Sequence, residues 1–215
     1  MQDCFVRKFV PADKEQVRQI AWETAFRGGP ADIFFDDKRF LCDALIRYFT
    51  DEEPESCFVA ECGGRVAGYL VGSKDTHRMG RIFLVKILPG LLGRLFFGPV
   101  LFSAKNRRFL GRLFLSCARG ELRLPPIPGD DRATLHINCR EEFRSRGLGK
   151  RLIEAYLEYL RSCGRSEVRL CTASENGRDF FEHMEFSVLF SAKRSYWTHL
   201  LGHDFSVYIM GRRIS

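Results

Sequence analysis

Residues 139–161 read CREEFRSRGLGKRLIEAYLEYLR, with Gly147 and Gly149 two apart where a helical pattern begins and Arg144 and Arg146 alongside. The first backbone N–H groups of a helix have no intrahelical acceptor, and aligned peptide dipoles place partial positive charge there. Glycine removes Cβ atoms, so an anion can come close to those N–H groups. Arginine adds charge and forked donors. These residue types at this spacing point to phosphate or pyrophosphate binding. The frame is neither G-x-G-x-x-G nor G-x-x-x-x-G-K-[ST], which separates it from dinucleotide and nucleotide loops.

Candidate proton carriers are sparser. His136 alternates with Leu135 and Ile137 in an apolar run. A structural histidine is the simpler reading, and a proton carrier or substrate contact is the other. Glu141 and Glu142 stand just before the glycine turn, where solvated carboxylates are the default. His183 and Tyr196 are weaker candidates. Cys139 and Cys171 read as small core residues rather than nucleophiles. The eight cysteines form no CxxC pair, and no His stands at metal-ligand spacing. Reduced thiols in a cytoplasmic protein are expected, with neither a disulfide framework nor a metal. The first residues form no apolar leader, so no secretory signal is expected.

The elements that must position these residues follow from periodicity. CFVRKFV (residues 4–10) reads as a strand, and Pro11 turns the chain toward a helix that Asp13 can cap. That helix runs to about Phe26, and residues 39–50 form a second, ended by DEEPES. Residues 56–73 are the clearest hairpin, because Gly63-Gly64 supplies the positive φ of a tight turn. Its second arm, Val66 to Gly72, is apolar enough for a central strand. ATLHINC (133–139) is a strand that feeds the glycine turn and a helix from about Leu148 to Cys163, stopped by Gly164. EVRLCTA (167–173) is another strand. SENGRDFFEHM (174–184) is a short helix with Ser174 as cap, and late strands follow at 186–190 and 205–210. The result is one α/β domain over 1–215, with a mixed sheet of about six or seven strands flanked by helices. It is antiparallel early, and parallel where helix 148–163 makes a crossover.

Residues 76 to about 129 interrupt this order. Between Thr76 and Gly120 stand nine cations and no Asp or Glu; removing these nine from the net charge of +7 leaves −2 elsewhere. Residues 87–104 are strongly apolar, but they carry Arg94, two prolines and three glycines. Short helices are expected there rather than a membrane span. A cap packed on the domain is the main expectation for this insertion, ending in a proline-rich exit. Contact of residues 82–118 with a membrane surface or acyl chain is the lesser one, and a homodimer surface is another outlet for such a patch. Its apolar content is too high for a phosphate-facing strip, so no nucleic acid is expected.

Arg144-Ser-Arg-Gly147-Leu-Gly149 matches R/Q-x-x-G-x-G/A between a strand and a helix, and here the chain resembles the GNAT (Gcn5-related) N-acetyltransferases. SENGRDFFEHMEF is similar to that family's N-x-x-A-x-x-F-Y-E-K-x-G-F segment. LHINCREEFRSRGLGKRLI resembles, more narrowly, the acetyltransferase-like domains associated with O-GlcNAcases and their bacterial relatives. The resemblance implies a GNAT fold with the insertion between strands 3 and 4. It implies transfer of an acetyl group from acetyl-CoA to an amine by direct attack. The implied coenzyme contacts are Ile137, Cys139, Arg144, Ser145, Arg146, Gly147, Leu148, Gly149, Lys150, Asn176 and Phe181. Backbone N–H groups from about Ser145 to Lys150 would hold pyrophosphate. Ile137 and Cys139 would pair with pantetheine, and an N–H near Cys139 would polarise the thioester carbonyl. Asn176 is read as the family asparagine. The family tyrosine that protonates the thiolate falls at Phe181, and the glycine of its GF pair at Glu185. Catalytic residues therefore stay unassigned, with His136, Glu141 and Tyr196 as candidates. The alternative function is a non-catalytic GNAT-like module that binds coenzyme A or a protein or membrane partner.

Overall fold

The computed structural model describes residues 3–123 and 133–214. Seven strands make one mixed sheet in the order β1-β2-β3-β4-β5-β7-β6. The first strand β1 (Cys4–Lys8) leads through a short 3-10 turn to helices α1 (Lys14–Thr24) and α2 (Lys38–Glu52). The hairpin of β2 (Phe58–Cys62) and β3 (Arg65–Ser73) follows, with Gly63 at φ +57° and Gly64 at φ +76° as the tight turn requires. β3 lies between β2 and β4 (Ala133–Cys139), and eight of its nine residues are buried, as its apolar run predicts. The glycine turn opens α6 (Leu148–Ser162), which crosses over to β5 (Glu167–Thr172), parallel to β4. Then come α7 (Glu175–His183), β6 (Ser187–Arg194), α8 (Thr198–Leu201) and β7 (Phe205–Arg213).

Three apolar clusters hold the layers. α6 buries Leu148, Leu152, Ile153, Tyr156, Leu157 and Leu160 on one face of the sheet. Ala155 and Tyr159 flank that stripe and are half-buried. α1 and α2 cover the other face with Val17, Ile20, Ala21, Cys42 and Ile46. The third cluster joins Phe34 and Phe35 to Phe109, Trp197 and Phe205. Glu53 is fully buried at the end of α2, yet it has four donors. Tyr48 Oη, Ser56 Oγ, Ser73 Oγ and the Lys74 N–H lie at 2.7, 2.8, 2.7 and 2.9 Å.

Between β3 and β4 the insertion is helical. It runs as α3 (Thr76–Ile82), a π-helical segment Phe83–Ile87, α4 (Leu88–Phe97), a 3-10 turn, and α5 (Ala104–Ala118). Among the described residues, no helix is long and apolar enough to cross a membrane. Its inner face packs as a cap: Ile87 and Leu91 join the α1–α2 cluster, and Val100 and Phe109 join the third. Glu121 anchors the far end, accepting from Ser116 Oγ at 2.8 Å and from the Ser195 N–H at 2.9 Å. The proline-rich exit expected at 124–129 lies outside the described residues.

Two local expectations are corrected. Asp13 does not cap α1 with its side chain. Its carboxylate turns back to the Val10 N–H at 2.9 Å and to the Arg7 guanidinium, and Arg7 also binds Glu61. An arginine facing it across the turn outcompetes free helix N–H groups as a donor. Cys4 and Cys62, opposed in the β1–β2 ladder, form a disulfide where free thiols were expected. Pairing of the two strands brings together cysteines 58 residues apart. The other six cysteines are free, and Cys171, read as a core residue, is exposed.

α7 ends in a Schellman motif. The Phe186 N–H donates to Phe181 O at 3.0 Å and the Glu185 N–H to Glu182 O at 2.9 Å. Its left-handed position is Glu185 itself, at φ +61°, where the resembled motif has glycine. A Cβ in that region costs roughly 1 kcal/mol, and the exposed Glu185–Arg212 ion pair returns less than that. Glu185→Gly should therefore stabilise the protein by about 0.5–1 kcal/mol, read as a rise of roughly 2 °C in Tm.

Candidate coenzyme cleft

Among the described residues, β4 and β5 pair only at Ala133↔Val168 and Thr134↔Arg169. Beyond that point β4 keeps its ladder with β3 through Cys139, while β5 stays with β7 through Thr172. Toward their C-terminal ends the two strands thus part, and the sheet splits into two halves. Backbone direction alternates along a strand. The Arg140 N–H donates to Ala67 O on the β3 side, so Leu135, Ile137 and Cys139 turn their N–H groups into the gap. The side chains of Ile137 and Cys139 pack on the α6 core. Burial pushes the Cys139 thiol up to about 11, so it stays protonated.

The glycine turn closes one end of this gap. Gly147 is the N-cap of α6 at φ +73°, a left-handed conformation with nothing near its absent Cβ. Ser145 is also left-handed at φ +61°. Arg144 N–H donates to Glu141 O, and Arg151 N–H to Gly147 O. Between them, the N–H groups of Ser145 to Lys150 meet no acceptor among the described residues. Left-handed Gly147 followed by right-handed Leu148 is the backbone alternation of an anion nest, and here the nest runs into a helix N-terminus. Gly149 has a different reason to be bare: a Cβ there would stand 2.9 Å from the ring of Phe180. It permits α6 and α7 to approach.

The arginines of the motif are not all aimed at this nest. Arg144 Nε donates to Cys139 O at 3.1 Å and its terminal nitrogen to Gly28 O at 2.7 Å. It braces the end of β4 against the α1–α2 loop. Arg146 is exposed, with its guanidinium 5.2 Å from the Phe143 ring centre, and exposed Lys150 faces Glu154. The loop that Arg144 holds was not singled out in the sequence. Phe26 and Gly29 form a bridge around Arg27 and Gly28, both at positive φ. Arg27 Nε reaches Ala173 O, just past β5, at 3.0 Å. This FRGG turn therefore spans the two half-sheets, held to Ala173 past β5 and, through Arg144, to the end of β4. Consecutive glycines between two helices are the signal that could have found it.

Next to the turn is a concave pocket of about 290 Å³ lined by Phe26, Arg27, Ser174, Glu175, Asn176 and Leu201. Asn176 is exposed in the first turn of α7, while Ser174 is its N-cap and accepts from the Gly177 N–H at 3.0 Å. Counting seven residues back from Phe181, as the resembled motif does from its tyrosine, gives Ser174 and not Asn176. Phe181 is buried, with Phe180 and Phe186 at 5.2 and 5.6 Å, and so is packed in the core instead of facing a ligand.

His136 lies on the α1–α2 face of β4. Its Nε2 is 3.0 Å from Asn138 Nδ2, which donates to Tyr69 Oη at 3.1 Å. Burial lowers the imidazole to about 4, although part of the residue's surface remains accessible. It is therefore neutral at physiological pH, and Nε2 is engaged as an acceptor. Glu141 is exposed. Tyr196 packs against Trp197 and Phe205 at 5.0 and 4.9 Å, in the cluster that includes Phe26, Ala173 and Leu201. Burial raises its phenol to about 12, so it holds its proton throughout the neutral range.

The model of the acetyltransferase (GNAT) family matches residues 104–186, less than half of the chain, and that span includes β4, the glycine turn and α7. No curated protein matches by sequence. Solved structures do. SsHAT superposes with a TM-score of 0.71 at 22% identity over 99% of each chain. The Drosophila melanogaster polyamine N-acetyltransferase, which forms N-acetylagmatine, gives 0.55 at 18% over 98% of this chain and all of that one. Salmonella typhimurium yncA with its cofactor acetyl-CoA gives 0.56 at 13% over 99% and 95%. The fold is the GNAT fold, a seven-stranded mixed sheet flanked by helices.

Proposed function

We propose that this chain is a GNAT-family N-acetyltransferase that moves an acetyl group from acetyl-CoA to a primary amine. The observation that carries the reading is the gap between β4 and β5 with six unpaired N–H groups at its mouth. An extended pantetheine arm can take the place of the missing strand rungs, pairing with Ile137 and Cys139. The pyrophosphate then meets the N–H groups of Ser145 to Lys150, with Arg146 and Lys150 adding charge. The Cys139 N–H polarises the thioester carbonyl as negative charge develops on its oxygen. The amine approaches from the pocket bounded by Phe26, Arg27 and Asn176. Here the chain contributes position, charge stabilisation and proton control.

In this reading Arg144 positions the cleft through its two carbonyls and does not touch the anion. His136 is too acidic to take the amine's proton and serves as a neutral acceptor for Asn138. Phe181 belongs to the core. Tyr196 is the group proposed as proton donor to the departing thiolate because it packs in the cluster of Phe26 and Leu201, which line the pocket. Burial makes its phenol a weaker acid than a free tyrosine, so its proton moves only as charge develops on sulfur. The sequence likeness to O-GlcNAcase-associated domains rests on the LHI run and glycine turn, and names no acceptor.

Calorimetry with acetyl-CoA tests binding, and thiol release with a panel of amines tests turnover. Tyr196→Phe should lower kcat by about tenfold to a hundredfold with coenzyme affinity unchanged. A loss under twofold would remove Tyr196 from the mechanism. The second reading, a coenzyme-binding module without turnover, is favoured by Phe181, where a tyrosine would have supplied the proton. Tight acetyl-CoA binding with no thiol release for any amine would establish it.

A further inference from the structure

The most exposed large apolar side chains of the described residues all lie in the insertion, from Leu84 at 62% to Phe97 at 93%; outside it the highest is Phe5 at 46%. Phe96, Phe97 and Phe102 gather at the corner between α4 and α5. The corner is fixed by its backbone. Gly98 N–H donates to Arg94 O at 3.0 Å, and Arg107 holds the carbonyls of Leu101 and Phe102 at 2.7 and 2.9 Å. Buried Asn106 accepts from the Asp36 N–H at 2.7 Å and donates to Val100 O at 2.9 Å. The phenyl rings are thus held outward instead of collapsing on the domain. Beside them on α5, Arg108 and Arg112 stand one turn apart with Leu115 next on the same stripe. Neither arginine pairs with a carboxylate among the described residues.

We infer that this corner docks the protein on an anionic lipid bilayer. The phenylalanines sit at the headgroup–acyl boundary, and Arg108 and Arg112 meet the headgroups. Charge favours this occupant. Of the nine cations in residues 76–120, Arg78, Lys86, Arg94, Lys105 and Arg119 pair with Glu53, Glu52, Asp37, Asp36 and Glu121. Arg81, Arg107, Arg108 and Arg112 meet no carboxylate among the described residues, so a self-paired dimer would bring unpaired guanidinium groups together. A nucleic-acid surface would present cations outermost, whereas here the outermost groups are phenyl and aliphatic. The docking does not depend on acetyl transfer. It would fix the pocket's position relative to the membrane, because α5 is anchored through Ser116 and Glu121 to Ser195, just after β6.

The test is co-sedimentation of the full chain with phosphatidylcholine vesicles, alone and with about one-third phosphatidylglycerol. Binding is expected only to the anionic vesicles and should weaken steeply with salt. The triple variant Phe96→Ser/Phe97→Ser/Phe102→Ser should lose at least about tenfold in partitioning, and Arg108→Glu/Arg112→Glu a similar amount, with Tm unchanged. Any of the following results would overturn the inference. The wild type remains in the supernatant with anionic vesicles, the triple variant binds like wild type, or duplex DNA is bound more tightly than the vesicles. A wild-type dimer that the triple variant turns into a monomer would likewise overturn it, assigning the patch to a second copy.

Discussion

Gly147→Glu is expected to weaken acetyl-CoA binding by at least about a hundredfold, the equivalent of a like-charge contact in a partly desolvated site. Two effects act together. At φ +73° any Cβ is strained by roughly 1 kcal/mol, and the carboxylate brings negative charge beside the helix N-terminal N–H groups proposed to hold phosphate. Gly147→Ala separates them. With nothing within 4 Å of the added Cβ, it introduces backbone strain alone and should stay within about tenfold of wild type. Both variants should lose only a few degrees in Tm, so that loss of binding is not loss of fold. Calorimetry showing the glutamate variant within threefold of wild type would remove the turn from the coenzyme site.

The largest stability effect is expected at Glu53. Burial pushes its carboxyl up, but the donors from Lys74, Ser73, Tyr48 and Ser56 outweigh this and hold it below the ordinary carboxylate range. Glu53→Gln places an amide NH2 against existing donors and should cost about 3 kcal/mol, read as a drop of roughly 10 °C in Tm. The sign of the pH dependence follows from the lowered value. The wild-type contribution is complete above the ordinary carboxyl value of 4.5 and is lost as pH falls from there through the folded value. Acid unfolding monitored between neutral pH and pH 3 should show a shallower slope for the glutamine variant. An equal slope would mean that Glu53 is not charged in the fold.

The order of elements was legible because each carries a local signal. Gly63-Gly64 marks the hairpin, the apolar stripe marks α6, and Ser174 caps α7 as its type and place predict. The start of α6 was legible for the same reason: Gly147 and the helical pattern behind it mark where backbone N–H groups lie without an intrahelical acceptor. What escaped depends on pairing across the chain. Asp13 satisfies Arg7 instead of its own helix, because β1 places that guanidinium opposite it. Cys4 meets Cys62 only once the β1–β2 register is set. Arg144 binds Gly28 O, 116 residues away, so its motif position alone could not reveal its task. Periodicity identified Phe180 and Phe181 as neighbours in a helix, but only packing shows which ring meets Gly149 and which enters the core.

The split between β4 and β5 also bears on heat resistance. Among the described residues the two half-sheets share two backbone rungs, and the rest of their connection runs through α6, the FRGG turn, the third apolar cluster and the Glu121–Ser195 contact. A ligand lying along both edges is a cross-link available to the folded chain and denied to the unfolded one. By mass action it raises the melting temperature in step with its own concentration. If acetyl-CoA fills the gap as proposed, the melting temperature becomes a readout of how much of it is free in solution.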